Sequence, residues 1–172
     1  DHGQATALPR FDKARDDRAP AVDWDRAPGA ARLLLFEGWC VGARAQSEDA
    51  LAVPANPLER AEDREGTWRS YANTALAGEY QELFDRIDWL LLLAAPDFGT
   101  VLGWRIEQEH KLRREAGDGA PGLMSAAQIA RFIQHYERLT RHILTEMPER
   151  ADMVAYLAPD RSVQRTALRD RD

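Results

Sequence analysis

The run Leu33-Leu34-Leu35-Phe36, leading straight into Glu37-Gly38-Trp39, constrains this chain more than any other stretch. Four bulky apolar residues without alternation read as a strand buried on both faces, the pattern of a parallel sheet covered by helices. A carboxylate at the C-terminal end of such a strand stands where open α/β sheets place ligands and metals. In nucleotide-binding enzymes an acidic residue at that place meets Mg²⁺, usually through water. Yet the 172 residues contain no phosphate loop of the form G-x-x-x-x-G-K-[ST].

A chain of this length suits one domain with a real core. Charged residues make up 30% and the net charge is −6, so bulk electrostatics disfavour nucleic acid. The cations are almost all arginine, Lys13 and Lys111 being the lysines. A guanidinium fork suits carboxylates and phosphates, although a GC-rich genome gives the same bias. The single cysteine, Cys40, excludes an internal disulfide and a multi-cysteine zinc site, and fits a reducing cytoplasm. No apolar run reaches the roughly 18 residues of a membrane span. The opening residues read as no signal peptide, and the absence of an initiating Met reads as a processed or cut chain.

Ala5–Phe11 reads as a short strand feeding a polar loop over Asp12–Gly29. Leu33–Phe36 is the buried strand, followed by a Gly/Ala/Pro-rich loop to about Glu65. From Thr67, a candidate cap, the pattern is helical, with Trp68, Tyr71, Leu76, Tyr80, Leu83, Phe84 and Ile87 near i, i+3/i+4 spacing. Trp89–Leu93 reads as a second buried strand stopped by Pro96. Phe98–Glu115 reads as a long charged helix ended by a Gly-rich stretch. Ser125 and Gln128 form a capping box before a helix with Ile129, Phe132, Ile133, Tyr136, Leu139, Ile143 and Leu144 on one face. Asp152–Leu157 reads as a last strand, and the charged tail after Pro159 as frayed or weakly helical. Strands alternating with helices predict an α/β fold with a mostly parallel sheet, one domain over 1–161 and a polar tail over 162–172.

Leu33–Gln46 (LLLFEGWCVGARAQ), Pro9–Arg18 (PRFDKARDDR) and Trp104–Glu109 (WRIEQE) together resemble the D-glycerate 3-kinase-like branch of the P-loop kinases. Uridine kinase, phosphoribulokinase and bacterial pantothenate kinase are related to it. The stretches Pro54–Glu59, Trp68–Asn73 and Phe132–Arg141 look like it too, in order, to about Arg161. The resemblance implies a P-loop kinase-like three-layer sandwich from which the loop-bearing strand and its Walker A region are absent. Such a strand lies centrally, so its absence leaves unpaired edges that invite another chain. The expectation is that the segment alone is unstable, rearranged or completed by a second chain.

For function the resemblance implies an ATP-dependent kinase using Mg²⁺ and phosphorylating a hydroxyl of a glycerate-like acid, in a parent protein rather than in this chain alone. A remnant serving as an interaction or regulatory module is the alternative, as is a pantothenate- or sugar-like acceptor. Glu37 is the candidate for organising Mg²⁺ through water and supporting the transferring phosphoryl; otherwise it is a structural carboxylate. Arg10, Asp12, Lys13, Asp16 and Arg18 form a charged loop at a strand end, where clefts are lined. Uridine kinases carry Pro-x-Tyr-Asp-x-x-x-His-x-Arg at the corresponding place. Here Phe11 replaces the Tyr and Asp16 the His, which argues against a nucleoside acceptor. Arg18 can hold a small carboxylate by a bidentate fork, and Asp12 is a local candidate base. Arg105, Lys111, Arg113 and Arg114 fall on an element that is an arginine-bearing lid in this superfamily, with Arg105 the leading candidate for the phosphates. The same spacing also pairs Arg105 with Glu109 as a solvated i,i+4 couple. Asn56, Asn73 and Tyr80 either face the cleft or cap and pack. Trp39 either walls the acceptor pocket or sits in the core. Cys40 reads as a small buried hydrophobe. His110, His135 and His142 show no metal-ligand spacing.

Overall fold

Pro9 carries no N–H and interrupts the first apolar stretch. In the computed structural model, which describes residues 5–12, 15, 17–27, 29, 31–116 and 123–170, that stretch forms two short strands instead of one. They are β1 (Thr6–Leu8) and β2 (Phe11–Asp12). The expected polar loop holds β3 (Asp17–Arg18), a 3-10 turn at Ala21–Asp23 and β4 (Asp25–Ala27). β1 pairs antiparallel with β4, and β2 with β3. These ladders belong to the first of two compact units, 1–38; the second is 39–172.

Leu33–Phe36, expected as a buried strand, is neither buried nor a strand: Leu35 is 86% exposed and Phe36 52%. Apolarity alone does not make a strand. The backbone N–H and C=O groups need a ladder partner, and among the described residues none pairs here.

The second unit opens with two short helices where a loop was expected. α1 (Glu48–Ala52) starts at Ser47, whose Oγ accepts from Ala50 N (3.3 Å). α2 (Pro57–Glu62) starts at Asn56, whose Oδ1 accepts from Glu59 N (3.0 Å), with Pro57 at a first-turn position where an N–H would find no internal acceptor. α3 (Thr67–Ala77) is not capped by Thr67. Its cap position is Gly66, at φ +74, and Asp63 accepts from Trp68 N (2.9 Å) and Arg69 N (3.2 Å). Gly78 then separates α3 from α4 (Glu79–Phe84). Of the expected apolar positions Leu76 and Phe84 are buried, while Trp68 and Tyr71 are 73% and 78% exposed.

β5 (Leu91–Ala94), α5 (Phe98–Ala116), α6 (Ala126–Glu146), a 3-10 turn at Met147–Glu149 and β6 (Met153–Leu157) follow, close to the sequence expectation. The Ser125–Gln128 capping box is formed. The tail does not fray: Val163–Leu168 is β7, antiparallel to β6, beside which β5 lies parallel. The sheet order β5-β6-β7 is thus mixed, with β5 at an edge. Leu92, Ala94 and Val154 pack with Leu76, Phe84, Ile143 and Met147 in one core. Leu91 and Leu93, on the other face of β5, remain 45% and 61% exposed, so this strand is buried on one face rather than two. The α/β expectation holds.

Candidate functional site

Parallel strands gather ligands at their carboxyl ends, and in the second unit β5 and β6 end together. β5 runs out into Pro96-Asp97. Asp97 Oδ1 accepts from Thr100 N (2.7 Å) in the first turn of α5, and that backbone donor holds its carboxyl below the usual range. α5 therefore leaves the strand end directly and carries the charged residues across it.

Arg105 is half-buried, with its side chain 20% exposed. Its Nη2 lies 3.0 Å from Glu109 Oε2, and its guanidinium stands 5.8 Å from the centre of the Phe132 ring on α6. Glu109 is 1% exposed, so the pair is not a solvated surface couple. Its Oε1 accepts from Met124 N (2.6 Å), across the connection between α5 and α6. The Met124 N–H lowers the Glu109 pKa; burial opposes this, and Arg105 and Arg113 add to the lowering. Arg113 Nη2 donates to Met124 O (3.2 Å). Met124 is thus gripped by an acid through its N–H and a base through its C=O. Lys111 is exposed on the same helix. Beside this node lies a cavity of about 530 Å³ bounded by Glu109, His110, Arg113, Met124 and Gln128.

Trp39 begins a strap that is tied at several points. Its Nε1 donates to Thr140 Oγ1 (2.9 Å), and its ring meets Tyr136 edge-on at 4.8 Å. The residue is 48% exposed, so it is not the core aromatic of the alternative expectation. Cys40 is half-buried against the core. Gly42 adopts φ +74, and a Cβ there would fall 2.8 Å from Leu90 Cδ1, so the backbone passes close over Leu90. Arg150 donates to Gly42 O. Asn73 clasps the next loop: its Oδ1 accepts from Gln46 N (2.7 Å) and its Nδ2 donates to Gln46 O (3.0 Å). Asn56 caps α2 and donates to Gln134 O (2.8 Å). Both amides are engaged with backbone.

In the first unit the hairpin β2–β3 brings Arg10, Asp12 and Arg18 together. Ala19 N donates to Arg10 O (2.8 Å), and Phe11 lies opposite Arg18. Arg15 Nε approaches Asp12 Oδ2 at 3.7 Å. Lys13 and Asp16 lie outside the described residues. Glu37 stands exposed in a segment with no regular secondary structure. Among the described residues no three His, Cys, Asp or Glu side chains form a cluster able to hold a metal. A lone exposed carboxylate still fits Mg²⁺ in its usual kinase setting, where water and substrate phosphates supply most of the ligands.

Sequence reasoning placed Arg105 and Arg113 on one helix but missed the burial of Glu109 and its Met124 partner. It also missed Arg138. That residue's guanidinium joins α6 to Glu59 (2.7 Å), Ala50 O (2.9 Å) and Val53 O (2.6 Å). The i+4 spacing was a signal for the Arg105–Glu109 pair; nothing local signals the others.

No family model matches the chain. It is 32% identical over 138 residues to the uncharacterized kinase mug58 of Schizosaccharomyces pombe, covering 77% of this chain and 47% of that protein. It is 24% identical over 170 residues to the chloroplastic D-glycerate 3-kinase of Arabidopsis thaliana, covering 96% of this chain and 35% of that protein. The chain thus spans half or less of the length of these curated relatives. The structure superposes on D-glycerate 3-kinase from Cryptococcus neoformans var. grubii serotype A with a TM-score of 0.73 and 22% identity, over 96% of this chain and 60% of that one. It superposes on the YGR205w protein with a TM-score of 0.66 and 20% identity, over 98% of this chain and 59% of that one. The fold is the expected P-loop kinase-like α/β fold.

Proposed function

We propose that this chain, whose relatives and structural neighbours are D-glycerate 3-kinases and related kinases, is part of an ATP-dependent kinase that phosphorylates a hydroxyl of a glycerate-like acid. The observation that carries this reading is the likeness, over nearly the whole chain, to two proteins named D-glycerate 3-kinase. The geometry agrees with it. α5 rises from the carboxyl end of a parallel strand and holds Arg105 in a fixed orientation against a buried carboxylate.

Phosphoryl transfer asks a protein for positioning and charge stabilisation more than for covalent chemistry. Arg105, already oriented by Glu109 and Phe132, offers its remaining donors to phosphate oxygens without reorganising, the condition under which such donors stabilise a transition state most. Lys111 and Arg113 extend the cationic run on α5. In the first unit, Arg10 and Arg18, with Lys13 between them in the sequence, offer forks and an ammonium to a small carboxylate, with Asp12 as a local candidate base. In the second unit, Trp39, which is 48% exposed, and Asn73 are the candidates for contact with a substrate. Glu37 is the residue that would hold Mg²⁺ through water, and such an ion would supply neutralisation of phosphate charge. The backbone cradle for the β- and γ-phosphates is not among these 172 residues and comes, in this reading, from another part of the protein or from a second chain. Cys40, as the single thiol, fits action in a reducing compartment such as the cytoplasm.

The test is ATP- and Mg²⁺-dependent phosphorylation of glycerate by the full-length protein, read as ADP release and as phosphoglycerate. Arg105→Ala is expected to lower kcat by roughly 10²-fold, the scale for loss of one preorganised charged donor. Full activity in that variant removes Arg105 from the site. Turnover of another alcohol with none of glycerate replaces the acceptor.

A further inference from the structure

One residue in the second unit is held in a backbone conformation that its side chain does not favour. The connection from β6 to β7 closes with Arg161 N donating to Ala158 O (2.9 Å) and Ala158 N to Ser162 O (2.8 Å). The ladder shifts register beside it, between Tyr156 and Leu157. Arg161 adopts φ +69, the sole positive φ outside glycine among the described residues. Hairpin turns of this kind take glycine or asparagine at the left-handed position, because a Cβ there crowds the backbone. Nothing in the turn itself calls for arginine. The turn hydrogen bonds are made by the backbone and by Asp160, whose Oδ1 accepts from Ser162 N (2.9 Å) and Oγ (2.6 Å).

The Arg161 side chain instead leaves the hairpin for α5. Its Nη2 donates to Glu107 Oε2 (2.6 Å), and its guanidinium lies 5.3 Å from the centre of the Trp104 ring. Trp104 returns the contact, its Nε1 donating to Pro159 O (2.6 Å). Trp104 and Glu107 stand three apart on one face of α5, and Arg105 is next to Trp104 in the same turn. The Arg161–Glu107 pair is half-exposed, so its gain in stability is small and of the same order as the strain at the turn. A residue whose contacts do little more than offset the strain of its turn, yet reach a helix carrying the cationic run, is better explained by where it holds that helix.

We propose that Arg161 is a positioning residue: its strained turn and its grip on Trp104 and Glu107 latch α5 to the β6–β7 hairpin and so fix where Arg105 stands. The consequence for catalysis rests on the kinase reading above; the latch itself does not.

Hydrogen exchange read by mass spectrometry on the full-length protein tests the latch. Arg161→Gly relieves the turn and removes the grip, and Arg161→Asn does so while keeping a side chain that tolerates the same φ. Both are expected to melt at or above the parent temperature, yet to exchange the first half of α5 on the order of threefold to tenfold faster, with β6 and β7 unchanged. Charge exchange in the double variant Arg161→Glu with Glu107→Arg is expected to recover part of that protection. Unchanged α5 exchange in both single variants overturns the latch. In the kinase assay the same variants are expected to lose on the order of tenfold in kcat with little change in the KM for the acceptor. Faster α5 exchange at full kcat overturns the positioning role and leaves a purely structural contact. Absence of phosphoryl transfer in the parent protein defeats the kinase reading instead, and exchange with its charge-swap rescue still decides the latch.

Discussion

Asp63 carries more of the second unit than its place on a surface turn suggests. It caps α3 through two backbone N–H groups and meets Arg69 Nη1 at 3.1 Å, while Arg69 Nε donates to Leu51 O (2.7 Å). Both side chains are largely buried. Asp63→Ala leaves a buried guanidinium without its anion and two helix donors without a cap, and is expected to cost about 3 kcal/mol in a denaturant titration. The same carboxylate sets part of the pH response. Burial pushes its pKa up, but the Trp68 and Arg69 N–H groups and the Arg69 charge outweigh this and leave it lowered. Glu109 is lowered by the Met124 N–H, against burial, with help from Arg105. A carboxylate whose folded pKa lies below its unfolded one stabilises the fold above the unfolded value and loses that contribution as pH falls through the folded one. Thermal stability is therefore expected to hold above about pH 5 and to fall from about pH 4 downward. Glu109→Gln is expected to flatten that fall when melting temperature is followed against pH.

Elements differ in how much of them the sequence discloses. α6 was legible because its signals are local: a capping box at Ser125 and Gln128, then apolar residues on one face, of which Ile129, Ile133 and Ile143 are buried. Ile143 sits where α6 meets Leu92 and Val154, so Ile143→Ala is expected to destabilise by about 2–5 kcal/mol, measured by chemical denaturation. β7 was not legible. Val163–Leu168 sets Gln164, Arg165 and Thr166 in a row between apolar residues, and its strand state comes from β6 alongside rather than from its own composition. Leu33–Phe36 shows the reverse, a strand-like composition without a ladder. At the site, Arg105 was legible as part of a charged helix, but the depth of Glu109 was not. An i,i+4 ion pair reads the same on a wet face and a buried one, and Met124, which decides the matter, lies fifteen residues on.

Among the described residues, large apolar side chains are exposed along most of the chain, from Leu8 to Leu168. β5 ends the sheet with Leu91 and Leu93 uncovered, and an apolar edge of this kind invites pairing with another strand. The 172-residue chain is expected to self-associate in sedimentation experiments, and Leu93→Lys to shift it toward monomer, since an edge lysine disfavours strand addition. Association indifferent to that substitution points away from β5. Among the described residues no helix is long and apolar enough to cross a membrane.

The Asn73 clasp on Gln46 makes one loop answerable to the chemistry of a single amide. Both of its hydrogen bonds depend on the two ends of a neutral amide, one accepting and one donating. Spontaneous deamidation to aspartate would keep the acceptor and turn the donor into a second oxygen, facing the Gln46 carbonyl across the distance that a hydrogen bond now spans. Asn73→Asp mimics that aged form. It is expected to lower the melting temperature and to raise proteolysis after Arg44, and an equally stable, equally resistant variant would show that the loop holds without its clasp.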